Sequence, residues 1–276
     1  MTTLSSYIVQ CAVCGGQSKH RRISSYSTFG GPDLDFRPGP MYWGTMDFWT
    51  QECPYCGYIN KQLDQPSSIT REEILKTHEE VESGFDWNRA FGRQLGLSAK
   101  RGKTDEETVP SWLESLLAKP AYRRILFPGG QSSVNQSKTD EETEQSVRIV
   151  EWESTYAIRF AKLGAMLAKL GKHDEAAMQF LNVAWYFDDE EKDYVATHWR
   201  KAAIEQIETM RRRRKETPCS EMLICTYADM LRRSGDFYAV IRLNENELKE
   251  AAYIRMIKYQ RELSMRLDRA AHKITV

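Results

Sequence analysis

The chain has 276 residues, of which 41% are hydrophobic and 28% are charged, an ordinary composition for a globular protein. Its 39 basic and 39 acidic residues give no net charge, which argues against a protein whose main role is to neutralise phosphates. No apolar run approaches the ~20 residues that cross a bilayer, and the start of the chain lacks the features of a secretory signal. We therefore expect a cytoplasmic protein, in which paired cysteines more often hold a metal than form disulfides.

Residues 1–66 predict a small domain of short β-strands, because they are rich in glycine, proline, cysteine and aromatic residues and show no helical period. Short strands leading into a tight loop are predicted for the aromatic residues before Cys53, which are Tyr42, Trp43, Phe48 and Trp49. Such rings can stack on bases, but this segment has five basic and five acidic side chains and lacks the basic excess of a nucleic-acid surface. We expect most of these rings to wrap the N-terminal domain and its contact with the later helices.

Two Cys-x2-Cys turns give the strongest chemical signal in the sequence. They read Cys11-Ala-Val-Cys14 and Cys53-Pro-Tyr-Cys56, and a glycine follows each of them. Two intervening residues let both sulfurs of a turn reach one ion, and glycine accepts the left-handed backbone that closes such a turn. The sequence therefore predicts one zinc ion bound by Cys11, Cys14, Cys53 and Cys56.

The predicted zinc is structural, because four thiolates fill a tetrahedral shell, whereas a catalytic zinc keeps a position for water. A small domain has little core of its own, and a structural metal compensates for that. Two alternatives stay open at this point: iron held by four thiolates, as in rubredoxins, and redox chemistry by one Cys-x2-Cys pair. Redox proteins of the thioredoxin type carry one such motif on a βαβ pattern, and this sequence has two motifs without that pattern.

The loop between the two turns contains an unusual segment, residues 30–40, with three glycines and three prolines. Asp33, Asp35 and Arg37 alternate along it. In a functional interpretation they form a small polar site for a cation, a polar ligand or a charged partner. In the structural interpretation, which we favour, the aspartates cap turns by accepting backbone N–H groups and Arg37 pairs within the protein.

Residues 67–143 predict connecting helices with polar insertion loops. A helix is predicted from Thr70 to Glu82, because Thr70 and Glu73 have the spacing of a capping box. A hexapeptide, Lys-Thr-Asp-Glu-Glu-Thr, occurs at 103–108 and again at 138–143. It suggests a repeat, but a helix start with threonine as the cap explains it better.

Residues 144–276 predict an all-helical domain of at least five helices, with breaks at Gly171, at Thr217-Pro218 and at Gly235. The order Gly164, Gly171, Ala176 and Phe180 matches tetratricopeptide (TPR) spacing, and a weaker echo surrounds Gly235. Small residues at Gly164 and Ala176 would let two antiparallel helices approach closely. A TPR-like bundle offers a groove to a partner, while the plainer interpretation is that the helices only pack on one another.

Two further features of the helical domain have plain structural interpretations. Cys219 and Cys225 are six positions apart on a predicted helix, do not share a face, and are expected to be buried structural cysteines. The arginine run at 211–214 is expected near a helix end, where it faces solvent or the negative end of the helix dipole.

Several of these features together resemble a bacterial family, the domain-of-unknown-function family 2225. They are the two cysteine turns, the Asp-Leu-Asp-Phe-Arg-Pro stretch, Trp49-x3-Cys53-Pro-x-Cys-Gly-Tyr58 and the helical segment ending near Phe237. The resemblance is most specific over residues 7–66 and looser over 144–245. It implies a zinc-knuckle domain with a TPR-like C-terminal part, and it names no reaction. Ala12 stands where the family has proline, and residues 99–143 look like an insertion.

The leading functional hypothesis is a non-enzymatic protein-interaction module with a protein partner and no membrane association. The second is a nucleic-acid-binding zinc ribbon. It is favoured because zinc ribbons commonly bind nucleic acids and because the C-terminal part of the chain is basic. The third is an enzyme that uses Asp33, Asp35 and Arg37. It ranks last because the sequence pairs these residues with no nucleophile, phosphate-binding glycine loop or open metal site.

Overall fold

A computed structural model describes residues 3–26, 30–91, 148–149, 156–213, 219–244, 246 and 248–274. It confirms the predicted α+β class, because short strands at the N-terminus are followed by a mainly helical region. The described strands and helices belong to one compact unit of the chain. None of the described helices is long and apolar enough to span a membrane.

The first sheet is built on an antiparallel hairpin of β1 (Thr3–Gln10) and β2 (Gln17–Ser25), and β5 (Arg148–Ile149) pairs parallel to β2. Side chains alternate between the two faces along β1. Val9 is buried on one face, whereas Ile8 is exposed on the other. This alternation is expected where one face of a sheet packs on a core and the other meets solvent.

The chain before the second cysteine turn is helical where short strands were predicted. Pro40–Trp43 form a short helix, α1, and Met46–Phe48 form a single 3-10 turn. The prediction of strands for Tyr42, Trp43 and Phe48 was therefore wrong. Proline at the first helical position explains the difference, since its fixed φ favours a helical start and its missing N–H is not needed there. The second sheet has two two-residue strands, β3 (Gln51–Glu52) and β4 (Ile59–Asn60).

Helix α2 (Arg71–Gly84) begins where the capping box predicts. The Glu73 backbone N–H donates to the Thr70 hydroxyl at 3.2 Å, and the Thr70 backbone N–H donates to the Glu73 carboxylate at 2.7 Å. The helix ends at Gly84, two residues later than predicted, and is followed by the short helix α3 (Trp87–Phe91).

The C-terminal region contains six helices among its described residues, in agreement with the prediction of at least five. They are α4 (Tyr156–Lys169), α5 (His173–Asp189), α6 (Asp193–Arg213), α7 (Glu221–Ser234), α8 (Phe237–Ile241) and α9 (Ala251–Met265). Gly171 and Gly235 follow α4 and α7 with φ of +74° and +88°, the left-handed conformation that ends many helices.

The predicted close approach of α4 and α5 is confirmed at Gly164. A Cβ atom added to this glycine would lie 2.7 Å from Cε1 of Phe180, closer than a side chain tolerates. Ala176 is fully buried. The small residues of the TPR spacing thus sit where two helices meet, while the assignment to TPR itself stays a prediction.

The aromatic rings of the N-terminal region pack against this helical region, as predicted. The ring of Trp43 meets Trp185 edge-on at 5.5 Å, and Trp49 meets Phe160 at 6.3 Å. Arg159 reinforces the contact, because its buried guanidinium donates to the backbone oxygens of Thr50 and Asp47 at 3.2 Å each. These rings therefore serve the interior and are not an open stacking surface.

Several other predictions concern single residues or short segments and can be compared with the structure one by one. Cys219 does not lie on a helix, because Ser220 caps the first turn of α7 and Cys219 precedes it. Cys225 lies on α7 and is fully buried, as predicted. Arg211–Arg213 occupy the last turn of α6. The predicted insertion at residues 99–143, with both hexapeptides, and the Thr217-Pro218 break lie outside the described residues.

Candidate metal centre

The first cysteine turn connects β1 to β2 and is closed by two backbone hydrogen bonds. The Gly15 N–H donates to the Cys11 carbonyl at 2.8 Å, and the Cys11 N–H donates to the Gly16 carbonyl at 2.9 Å. Gly15 has φ of +73°, which glycine adopts without the strain of a side chain. The turn places Cys11 in the interior and leaves Cys14 exposed at the surface.

The second cysteine turn connects β3 to β4 and repeats the same geometry. The Gly57 N–H donates to the Cys53 carbonyl at 2.9 Å, and the Cys53 N–H donates to the Tyr58 carbonyl at 2.8 Å. Gly57 has the same φ of +73°. Its missing side chain also makes room for His78 on α2, because a Cβ would lie 2.9 Å from Cε1 of that ring.

The two turns bring their four sulfur atoms together, as the sequence predicts. All four Sγ atoms lie within 4.8 Å of one another. The sulfurs of Cys11 and Cys56 are 3.7 Å apart, and those of Cys14 and Cys53 are 3.6 Å apart. A tetrahedral zinc with Zn–S bonds of ~2.3 Å would place its sulfurs ~3.8 Å apart. The cluster therefore has the size of a four-thiolate metal site and can hold one ion.

The electrostatics of the cluster differ between its buried and exposed members. Burial raises the pKa of Cys53 to about 11, against hydrogen bonds from the N–H groups of Tyr55 and Cys56, and burial also raises the pKa of Cys56. At Cys14 burial has the same sign, but hydrogen bonds from Gly16 and from the other cysteines together lower the pKa. Four thiolates so close together repel one another, so a bound dication is needed to hold them all ionised.

Three of the four cysteines lie inside a small apolar cluster that joins the N-terminal region to three helices. Around Cys11, Cys53 and Cys56 pack buried side chains of the N-terminal region, of α2 and of α4, including Leu63, Ile74, Leu163, Met166 and Leu167. Ala176 of α5 belongs to the same cluster. The metal centre is therefore part of the contact between the strands and the helices.

Asp35, in the loop at residues 30–40, is buried and not open to solvent, with 1% of its surface exposed. Its carboxylate accepts from Nε1 of Trp185 and from the backbone N–H of Arg37, and it lies 3.5 Å from Nη1 of Arg233. Burial raises the pKa of Asp35 to about 6, the nearby carboxylate of Asp229 adds to this shift, and Arg233 opposes it.

The other two polar residues of the loop also have partners within the protein. Asp33 pairs with Lys273 at 2.5 Å. Arg37 pairs with Asp189 and lies 4.4 Å above the ring of Trp43. The three residues therefore connect the loop to the helices and the C-terminal segment, and they do not converge on one open pocket.

Sequence reasoning did not find the buried ionic groups that meet Asp35 on the helical side. Asp188 on α5 accepts from both Arg200 of α6 and Arg233 of α7, with the Arg233 contact at 2.9 Å. Next to Arg233 on α7, Arg232 pairs with Asp229, one turn earlier, at 2.7 Å with both side chains buried. One signal was available, since these charged residues occur at helix positions that are otherwise apolar. Hydrophobic periodicity alone does not distinguish such buried charges from exposed ones.

The chain matches no protein-family model, no curated protein and no solved structure. The resemblance to family 2225 accordingly stays a prediction. What is established for this site is the geometry of the chain itself: two matched turns bring four cysteine sulfurs within reach of one metal ion.

Proposed function

We propose that this protein is a non-enzymatic, zinc-stabilised interaction module of the cytoplasm, which binds an extended segment of a partner protein along β1. The observation that carries the proposal is the free edge of this strand. β1 is eight residues long and pairs with β2 on one side, and among the described residues no strand pairs with its other side.

The side chains of β1 favour a protein partner. On its outward face, Leu4 is 41% exposed and Ile8 is 59% exposed. A strand edge offers a row of unpaired N–H and C=O groups, and exposed apolar side chains beside it supply pockets or ridges for alternate side chains of an added strand. An edge of this length, with no proline or inward charge to protect it, is suited to strand addition.

Zinc has a supporting role in this proposal. Four thiolates complete its coordination, so the ion takes no substrate and instead fixes the turn that follows β1. We prefer zinc to iron for the site because four-thiolate structural zinc is the common solution for small domains. Elemental analysis of the purified protein should give one equivalent of zinc per chain, and an equivalent of iron would contradict this part of the proposal.

The interaction is tested by affinity capture from the native cell with two matched variants. Ile8→Lys places a charge on the outward face of β1, while Leu75→Lys makes the same change at an exposed position, 54% accessible, on α2. We expect a protein recovered by the wild type and by Leu75→Lys to be lost with Ile8→Lys, while all three bind the same amount of metal. Equal recovery by both variants would refute the role of β1.

A second candidate function, nucleic-acid binding, has one observation in its favour. Lys19 and Arg21 are exposed on β2, and Lys19 lies opposite Ile8 in the register. The two functions make opposite predictions for one variant. Ile8→Lys adds a positive charge, so it would strengthen binding to single-stranded RNA, measured by fluorescence anisotropy at low salt, while it weakens strand addition. Absence of any RNA binding at low salt would eliminate this candidate.

A further inference from the structure

The hydrogen-bond pattern of the first hairpin shows which backbone groups of β1 face its free edge. The Cys11 N–H donates to the Gly16 carbonyl at 2.9 Å, and the register with β2 is unbroken from residue 4 to residue 10. In an antiparallel pair, successive residues direct their backbone groups alternately toward the neighbouring strand and away from it. The even-numbered residues from 4 to 10 therefore direct their N–H and C=O groups to the free edge.

The chain itself bonds to this row of groups just beyond the strand. Ala12 is the next even-numbered residue, and its N–H donates to the Leu63 carbonyl at 2.8 Å. Among the residues that the structure describes, none bonds to the edge-facing groups of Leu4, Ser6 or Ile8. The row that is open to an added strand therefore runs from residue 4 to residue 10.

The outward face beside this edge combines apolar and basic side chains in a fixed order. On β1, Ser6 lies between Leu4 and Ile8, which are 41% and 59% exposed. On β2, Arg21 is the cross-strand partner of Ser6, and Lys19 is the partner of Ile8. Cross-strand partners share a face of the sheet, so these two exposed cations lie next to the residues that an added strand would contact.

The positive charge of this face is not balanced by the hairpin. Residues 3–25 contain no aspartate and no glutamate. Among the described residues, neither Lys19 nor Arg21 forms an ion pair. Arg22 differs from them, because it lies on the opposite face, with its guanidinium 5.0 Å from the ring centre of Tyr7 and its Nε 3.5 Å from the Ser5 hydroxyl. Arg21 is therefore the arginine that is available to a partner on the outward face.

From this arrangement we infer that the partner of β1 is an acidic extended segment, in which a carboxylate stands between two apolar residues at every second position. The inference rests on the proposed strand addition at β1. Neighbouring strands are roughly 4.8 Å apart, so an added strand lies about 9.6 Å from β2, within the combined reach of an arginine and a glutamate. Ser6 is small and leaves the path from Arg21 open. The residues on either side of the carboxylate lie beside Leu4 and Ile8 and are therefore apolar.

The test uses the metal-loaded full chain and two synthetic peptides with blocked ends. One peptide is Thr-Val-Thr-Glu-Thr-Val-Thr, and the other has glutamine in place of glutamate. The order of side chains is the same in both directions, so parallel and antiparallel addition are both sampled. In ¹H–¹⁵N spectra, the edge-facing amides of Leu4, Ser6 and Ile8 should shift and saturate. We expect the glutamate peptide to bind ~3-fold more tightly at low salt, which is the size of an exposed ion pair.

Two neighbouring arginines supply the matched variants. Arg21→Gln should make the two peptides bind equally, whereas Arg22→Gln removes the same charge from the other face and should preserve the preference for glutamate. A preference that survives Arg21→Gln, or that both variants abolish, would overturn the inference. Equal binding of the two peptides to the wild type would also overturn it, but would leave strand addition at β1 standing. No shift in β1 with either peptide at ~10 mM would refute strand addition and this inference together.

Two other occupants of the edge would give different results. A second copy of this chain would shift the same amides of β1 when the protein is concentrated without peptide. Single-stranded RNA would displace the glutamate peptide and lose affinity with Arg21→Gln, which would assign the two cations to nucleic acid. Either result would overturn the acidic segment as the occupant of the edge.

Discussion

The N-terminal strands and the C-terminal helices are held together by different means. The strands contribute few large buried side chains, and their interior is a small apolar cluster around three buried cysteines. The helical region has its own core, in which Phe160, Trp185 and Phe187 are each at most 1% exposed. The stability of the short β-domain therefore depends on the four cysteines and on packing against the helices. The stability of the helical region depends on its own buried side chains.

Removing the metal should unfold the strands and leave the helices folded, and this is the largest effect that we expect. Structural zinc contributes an apparent ~10–16 kcal/mol in small peptides at neutral pH, so a chelator or Cys53→Ser should abolish the order of β1 to β4. We expect hydrogen-exchange protection to be lost in residues 3–25 and 51–60 and to remain in α5 and α7.

The matched control for that experiment is the buried cysteine outside the cluster. Cys225→Ser alters the helical core and should keep one equivalent of metal per chain, even if the protein becomes less stable. If the metal-free protein kept its exchange protection in the strands, the comparison between the two regions would be invalid.

The second largest effect is expected where the two regions are joined by a buried charge. Asp35→Ala leaves Nε1 of Trp185 without its acceptor and leaves Asp188 as the remaining carboxylate beside Arg233, and a buried donor left unsatisfied in this way costs about 1–3 kcal/mol. Urea unfolding of the metal-loaded protein measures the loss.

Asp33→Ala provides the control, because it removes a carboxylate of the same loop whose lysine partner is 59% exposed. Surface pairs of this kind contribute about 0–1 kcal/mol, so the variant should stay close to wild type. Equal effects of the two substitutions would mean that the loop is not anchored through Asp35.

The sequence predicted the features set by near neighbours and the meeting of the two cysteine turns, but it missed the buried charges, which depend on distant partners. The cysteine turns and the Thr70 capping box were readable because their chemistry is set by residues three to five positions apart. The burial of Asp35 was not, since its partners Trp185 and Arg233 are 150 and 198 positions away. Pro40 carried a helix-start signal that was outweighed by the aromatic residues after it.

Within the helices, the largest effect of a single methyl group is expected at the contact of α4 with α5. Gly164→Ala would place a Cβ 2.7 Å from the Phe180 ring, and overpacking of this kind costs about 1–3 kcal/mol. The loss should appear in urea unfolding with no change in bound metal, because the ligands lie outside this contact.

The same substitution at Gly84 should have the opposite sign. Gly84 ends α2 and an added Cβ there meets nothing within 4 Å, so Gly84→Ala should stabilise by about 0.4–1 kcal/mol. A destabilised Gly84→Ala together with a neutral Gly164→Ala would contradict the packing of both helices.

The last predicted effect is a pH dependence to which the strands contribute. His20 on β2 is 3% exposed, and burial, with a contribution from Arg159, lowers its pKa to about 4. In the unfolded chain the pKa is near 6.5, so between these values the unfolded state binds a proton that the folded state does not. Stability should therefore fall as pH decreases through this window, by no more than ~1.4 kcal/mol per pH unit.

His20→Gln should reduce this slope, because glutamine keeps a hydrogen bond to Ser18 and does not titrate, and the remaining slope should come from His78 on α2, whose pKa burial lowers to about 3. Unfolding in urea between pH 5 and 6.5, with bound metal measured at each point, isolates the histidine from loss of the ion. His198→Gln changes an imidazole on α6 whose pKa burial lowers less, so this variant should reduce the slope less than His20→Gln does. If the two variants behave alike, the acid sensitivity does not arise in the strands, and the two regions respond to protons as one.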